Sequence, residues 1–130
     1  MKKFKQNKLW RDQAVEKMEK MGSKIHWRQL SDSEYDMELR KKLIEEAQEV
    51  VESDSVEKLK EEMADVLEVI DCLRSLHNIS EEELSAEKFS KKKERGGFFQ
   101  RKFVSFAEHP KGSFGESYCL ADPEKYPEVP

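Results

Sequence analysis

"LIEEAQEVVESDSVEKLKEEMADV", residues 43–66, holds one pattern twice. Residues 43–50 and 59–66 both read Leu-x-Glu-Glu-x-x-acid-Val. A helix advances about 100° per residue, so spacing fixes which side chains share a face. With Leu59 at zero, Leu59, Met63, Val66, Ile70 and Leu73 form one apolar arc, and Glu62 falls inside it at about 300°. Asp65 lies at the margin of that arc near Leu76, whereas Glu61 and Glu68 point away. Glu46 and Glu49 stand in the same relation to Leu43. Acids on an apolar border are not ordinary solvated charge, and here they occur as two matching pairs.

Working outward, the spacing predicts four helices. The first covers residues 12–21 and stops at Gly22. Ser31 with Glu34 has capping-box spacing and opens a helix to about Glu52. Asp54 with Glu57 repeats the signal and opens the third, which runs to His77 and closes at Asn78. Ser80 with Glu83 opens the fourth, ending at Gly96-Gly97. The short connection makes the second and third helices an antiparallel hairpin. Residues 24–30 alternate and read as extended. Residues 98–130 differ in kind: "FFQRKFVSF" reads as a short strand, and "HPKGSFG" and "DPEKYPEVP" as turns. The expected fold is all-α, a four- to five-helix bundle around the central antiparallel hairpin. Residues 1–97 form the helical domain, and residues 98–130 an aromatic-rich arm packed on the bundle or on a neighbouring subunit.

Composition narrows the function classes. Among 130 residues 40% are charged and 36% hydrophobic, with 24 basic against 28 acidic groups and a net charge of −4. The absence of a basic excess argues against a polymeric nucleic-acid partner. No segment reads as membrane-spanning, and the start "MKKFKQNKLW" lacks the apolar run of a signal peptide. Cys72 and Cys119 read as reduced structural thiols, so a cytoplasmic protein is expected. A core this lean gains from burial against a second copy.

Glu46/Glu49 and Glu62/Asp65 lie at similar distances from the hairpin turn and therefore come level across it. Four partly buried carboxylates repel one another and lose hydration, at a cost of several kcal/mol unless compensated. A hard divalent cation is the natural compensation, Mg2+ or Mn2+ suiting carboxylate oxygens. Nothing in the spacing of Cys and His suggests zinc.

E-x-x-E (Glu46, Glu49) followed by E-x-x-D (Glu62, Asp65) resembles the signature of the all-α NTP pyrophosphatases, the MazG-like and phosphoribosyl-ATP pyrophosphohydrolase-like proteins. "NKLWRD", "LIEEAQEV", "EEMADVLEV", "ERGGF" and "DPEKYPEV" follow in the order of a house-cleaning branch of that superfamily. The resemblance implies Mg2+-dependent cleavage of the α–β phosphoanhydride of a nucleoside triphosphate, releasing pyrophosphate, in a homodimer or homotetramer. It makes Glu46, Glu49, Glu62 and Asp65 the metal ligands, one of them doubling as the base.

Phosphate partners should be basic and face the same cleft. Lys42 lies one turn before Glu46, and Lys91 and Arg95 share a face ahead of Gly96-Gly97. Solvated surface charge is the competing reading for each. Arg11 and Asp12 are expected to pair, Trp10 and Trp27 to pack in the core, and the three histidines to carry no chemistry. Two other functions remain open: a helical interaction module whose acids make salt bridges across a dimer, and a nucleotide binder without turnover.

Overall fold

The computed structural model describes residues 1–130. It is all-helical: α1 Asp12–Lys20, α2 Asp32–Glu52, α3 Val56–Leu76, α4 Glu81–Arg95 and α5 Phe114–Leu120. None of these helices is long and apolar enough to cross a membrane. The chain divides into two compact units, Met1–Lys91 and Lys92–Pro130. The division falls inside α4, ahead of the Gly96-Gly97 break at which the sequence suggested it.

In the first unit, α2 and α3 are the helices in extensive contact. Their connection is short because serines cap both sides of it. Ser53 Oγ donates to the Val50 carbonyl at 2.7 Å and ends α2. Ser55 Oγ accepts from Lys58 N at 3.0 Å and starts α3. The cap of α3 is thus Ser55, one residue later than the Asp54 that spacing suggested. Ser55 has the extended backbone (φ −145°, ψ 160°) a capping residue needs. The far end of the hairpin is pinned by His77, where Nε2 meets Asp36 Oδ1 at 2.6 Å. Asn78 (φ 56°) closes α3 in the left-handed region, as expected of it.

The apolar core is thin. Leu39 on α2 and Val69 on α3 are its buried apolar members, each two turns from a buried acid on the same helix. The expected arc on α3 is therefore displaced. Glu62 and Val69 point into the seam, while Leu59, Met63 and Leu67 are exposed. On α2 the exposed apolar residues are Met37, Ile44 and Val51, spaced by seven. Trp27, expected in the core, is also exposed.

The second unit corrects two expectations. Residues 98–106 form no strand, and residues 114–120, which overlap only the end of "HPKGSFG", form α5. Ser113 Oγ accepts from Glu116 N at 3.3 Å, and Glu116 Oε1 accepts from Gly112 N at 3.1 Å. Gly112 has φ 80°, which favours glycine there. A Cβ on Gly115 would meet the His109 ring at 2.1 Å, so this first turn of α5 requires glycine for space. Tyr118 stacks obliquely between Phe114 and Tyr126, with ring centroids 5.9 and 5.6 Å away.

The start of α2 makes a prediction. Ser31 and Glu34 form a complete capping box, and Arg28 clamps Glu34 with contacts of 3.2 and 2.6 Å. The guanidinium first, then the Ser31 amide, holds the Glu34 carboxyl down to about 2. A depressed carboxyl contributes stability that is present above its unfolded value of 4.5 and is lost as pH falls toward 2. Glu34→Gln keeps a capping oxygen but removes the charge. The gap in melting temperature between wild type and this variant is expected to be constant above about pH 5 and to close near pH 2. A gap that persists at pH 2 would count against the clamp.

Candidate metal centre

Each of the four acids is placed by the hairpin. Glu46 and Glu49 occupy successive turns of α2, and Glu62 and Asp65 do so on α3, so an antiparallel pairing sets them side by side. One carboxylate oxygen from each lies within 4.8 Å of the others. Four oxygens this close can surround a single cation. Glu46 and Glu62 are buried, Asp65 is half-buried and Glu49 is exposed, so the cluster has a closed side and an open one.

The buried side carries the strongest sign of an incomplete site. The side chains of Glu46 and Glu62 are 9% and 5% exposed, and one oxygen of each (Oε2) has no hydrogen-bond partner. An ionised oxygen left unpaired in a protein interior is costly. Helix propensity does not explain its presence, and apolar residues would pack the seam better.

Three of the acids are each held by one basic residue. Lys42 Nζ lies 3.4 Å from Glu46 Oε1, and Lys58 Nζ lies 3.0 Å from Glu62 Oε1. Arg11 Nη2 donates to Asp65 Oδ1 at 2.6 Å. Glu49 has no cation of its own. Its carboxyl is pushed up to about 7, first by sharing a proton with Glu62, then with Glu46, then by burial. Glu62 moves the other way, held down chiefly by Lys58 and then by Glu49. Four acids thus meet three basic partners.

Of the basic residues singled out from sequence, Lys42 is brought to the acids, also reaching Glu45 Oε2 at 3.4 Å. Lys91 is exposed on α4 and makes no ion pair. Arg95 belongs to the second unit, exposed in the last turn of α4 before Gly96, whose φ of 80° ends the helix. Arg11 corrects the expected pairing with Asp12. Sequence neighbours do not face each other across a helix start, and the extended backbone of Arg11 (φ −60°, ψ 144°) sends its side chain to α3. Lys8 similarly reaches Glu45 Oε1 at 3.0 Å on α2. Sequence spacing missed Lys58, although its i, i+4 relation to Glu62 was readable. Nothing local could have found Lys8 or Arg11, whose partners lie far along the chain.

Two openings lie along the hairpin, one of them beside the acids. A cavity of about 500 Å³ lies beside Glu49 and Glu62 at the hairpin turn and includes Lys58. Another of about 260 Å³ lies between the N-terminal segment and α2, lined by Lys8, Lys41, Lys42 and Glu45.

The shared proton is directly measurable. In metal-free protein, the side-chain carboxyl carbon of Glu49 should titrate near 7 by NMR. Glu62→Gln removes the charge that raises it, so the midpoint should fall toward the ordinary 4.5. An unchanged midpoint would show that Glu62 is not its partner. Neither a protein-family model, nor a curated protein, nor a solved structure matches the chain.

Proposed function

We propose that the chain is a Mg2+-dependent nucleotide pyrophosphohydrolase of the all-α NTP pyrophosphatase kind, with Mn2+ as an alternative ion. It hydrolyses the α–β phosphoanhydride of a nucleoside triphosphate to the monophosphate and pyrophosphate. One observation carries this reading: four carboxylates converge within 4.8 Å, and two of them present buried oxygens without a partner. Such a donor set, all oxygen and strongly anionic, fits a hard divalent cation. A site with a closed floor and an open rim also suits a ligand that arrives from solvent.

Glu46 and Glu62 form the floor of the site, and Glu49 and Asp65 its rim. A bound Mg2+ would neutralise phosphate oxygens as charge builds on them. The carboxylates orient the attacking water, and one of them accepts its proton. The cavity beside Glu49 and Glu62 has a volume in the range of small-molecule sites and admits a phosphate chain next to the acids. The resemblance in sequence supports the choice of a nucleotide over other phosphoanhydrides. The two free cysteines suit a reducing cytoplasm.

Purified protein given a panel of nucleoside triphosphates should release pyrophosphate only with Mg2+ or Mn2+ present. Glu62→Gln should lower that release by about 100-fold or more while the far-ultraviolet dichroism stays helical. Turnover retained in the variant would remove Glu62 from the site.

The enzyme works as a self-associated bundle, and here too an observation supports the reading. Met37, Ile44 and Val51 on α2, and Val56 and Met63 on α3, are exposed apolar residues at seven-residue spacing. Such a stripe runs nearly straight along a helix and suits another helix pair. A second copy packed stripe to stripe, with Ile44 near the two-fold axis, covers this face and completes a four-helix arrangement. Sedimentation of the wild type should show a dimer or tetramer, and Ile44→Lys should weaken the association by about 10-fold or more. A module built only for association would melt at the same temperature with and without Mg2+, whereas the hydrolase should be stabilised by the ion.

A further inference from the structure

Three of the four acids come with a basic partner already attached, and those partners differ in how firmly they are held. Arg11 reaches Asp65 from the N-terminal segment rather than from the hairpin, and its side chain is 62% exposed. Lys58 reaches Glu62 along α3 with a side chain 54% exposed, and it lines the cavity beside Glu49. Lys42 is mostly buried and is shared between Glu45 and Glu46. Arg11 and Lys58 can swing away at little cost in packing. Lys42 cannot.

We propose that Arg11 and Lys58 are exchangeable counter-cations: they neutralise Asp65 and Glu62 in the empty site, and they turn to the phosphates of the substrate once those acids hold a divalent ion. The inference rests on the reading of the acids as a metal centre, which the unpartnered Oε2 atoms of Glu46 and Glu62 support independently of Arg11. Its basis is competition for the same carboxylates. Arg11 Nη2 stands 2.6 Å from Asp65 Oδ1 and Lys58 Nζ 3.0 Å from Glu62 Oε1, positions a cation among the four acids would contest. Like charge then repels the guanidinium and the ammonium from the acids. Lys58 lines the opening beside Glu49, where a di- or triphosphate offers new anionic partners, and the exposed Arg11 side chain is free to turn toward them. A guanidinium fork suits phosphate oxygens at least as well as a single carboxylate oxygen.

Exchange gives two effects of opposite sign, which a merely structural ion pair would not. Without phosphate, Arg11 and the divalent ion compete, so removing Arg11 tightens ion binding. With the ion bound, Arg11 holds phosphate, so removing it weakens phosphate binding. The test uses the full-length, metal-stripped protein and isothermal titration calorimetry, first with Mn2+ alone, then with inorganic pyrophosphate at saturating Mg2+. Arg11→Ala is expected to bind Mn2+ about 5-fold more tightly than wild type and pyrophosphate about 5-fold more weakly. Lys58→Ala should show the same pair of signs, and Arg11→Lys should fall between wild type and Arg11→Ala.

If wild type takes up no Mn2+, the metal-centre reading fails and the exchange falls with it. If wild type binds Mn2+ but Arg11→Ala and Lys58→Ala bind it equally or less well, the exchange alone is overturned. Tighter Mn2+ binding with unchanged pyrophosphate affinity overturns the transfer to phosphate. Both variants are on exposed side chains, and retained helical dichroism shows that affinities are being compared between folded proteins.

Discussion

The structure depends on the repulsion among Glu46, Glu49, Glu62 and Asp65. Packing α2 on α3 brings these carboxylates within 4.8 Å of one another. Two unit charges 4 Å apart at a partly screened site interact by about 4 kcal/mol, a large share of the stability of a small domain. The chain offsets this with Lys42, Lys58 and Arg11, and the crowding by Glu62 and Glu46 raises the Glu49 carboxyl to about 7. Even so, Oε2 of Glu46 and of Glu62 stay unpaired. Compensation is sufficient to let the hairpin close and incomplete in the one place where a ligand would complete it.

The turn and the far end of the hairpin follow from that constraint. Acids that repel at the seam would let two helices slide or splay unless the ends were fixed. Ser53 and Ser55 hold the turn, and the Asp36–His77 contact holds the opposite end. Leu39 and Val69 supply the buried apolar contact between them. Fixing both ends sets the register that makes two E-x-x-acid pairs level. A shift of α3 by one residue would turn Glu62 about 100° out of the seam.

Much of this was legible before any coordinates. The repeated pattern identified all four acids because an i, i+3 pair on each of two antiparallel helices leaves little freedom. Capping boxes placed α2 and α4, since Ser31 and Ser80 need only local backbone geometry to act. What failed to show was nonlocal or two-sided. A helical wheel located the apolar residues of α3 but could not say that Val69 faces α2 while Met63 faces away, because both lie within one broad arc. Arg11 reaches an acid from a distant part of the chain, so its pairing with Asp65 has no local signature. The helix α5 also has a local signature: Ser113 and Glu116 have the same capping-box spacing as Ser31 and Glu34. Pro110 and Gly112 next to it dominated the reading as turn.

The two faces of the hairpin divide its tasks. On α2, Ile44 lies about 160° around the helix from Glu46, and on α3 Met63 lies about 100° from Glu62. In an antiparallel pair these rotations turn both apolar stripes away from the side to which Glu49 and Asp65 point. An interface on the stripe side would therefore stiffen both helices along their length without covering the acids. Stiffness there has a chemical consequence. Carboxylates that would hold an ion at fixed distance lose affinity when their helices can part, and the repulsion among these four favours parting. Burial of Ile44 and Met63 against a second copy would oppose that motion. The exposed apolar face and the unpaired buried oxygens are then two sides of the same requirement, a hairpin kept closed against its own charge.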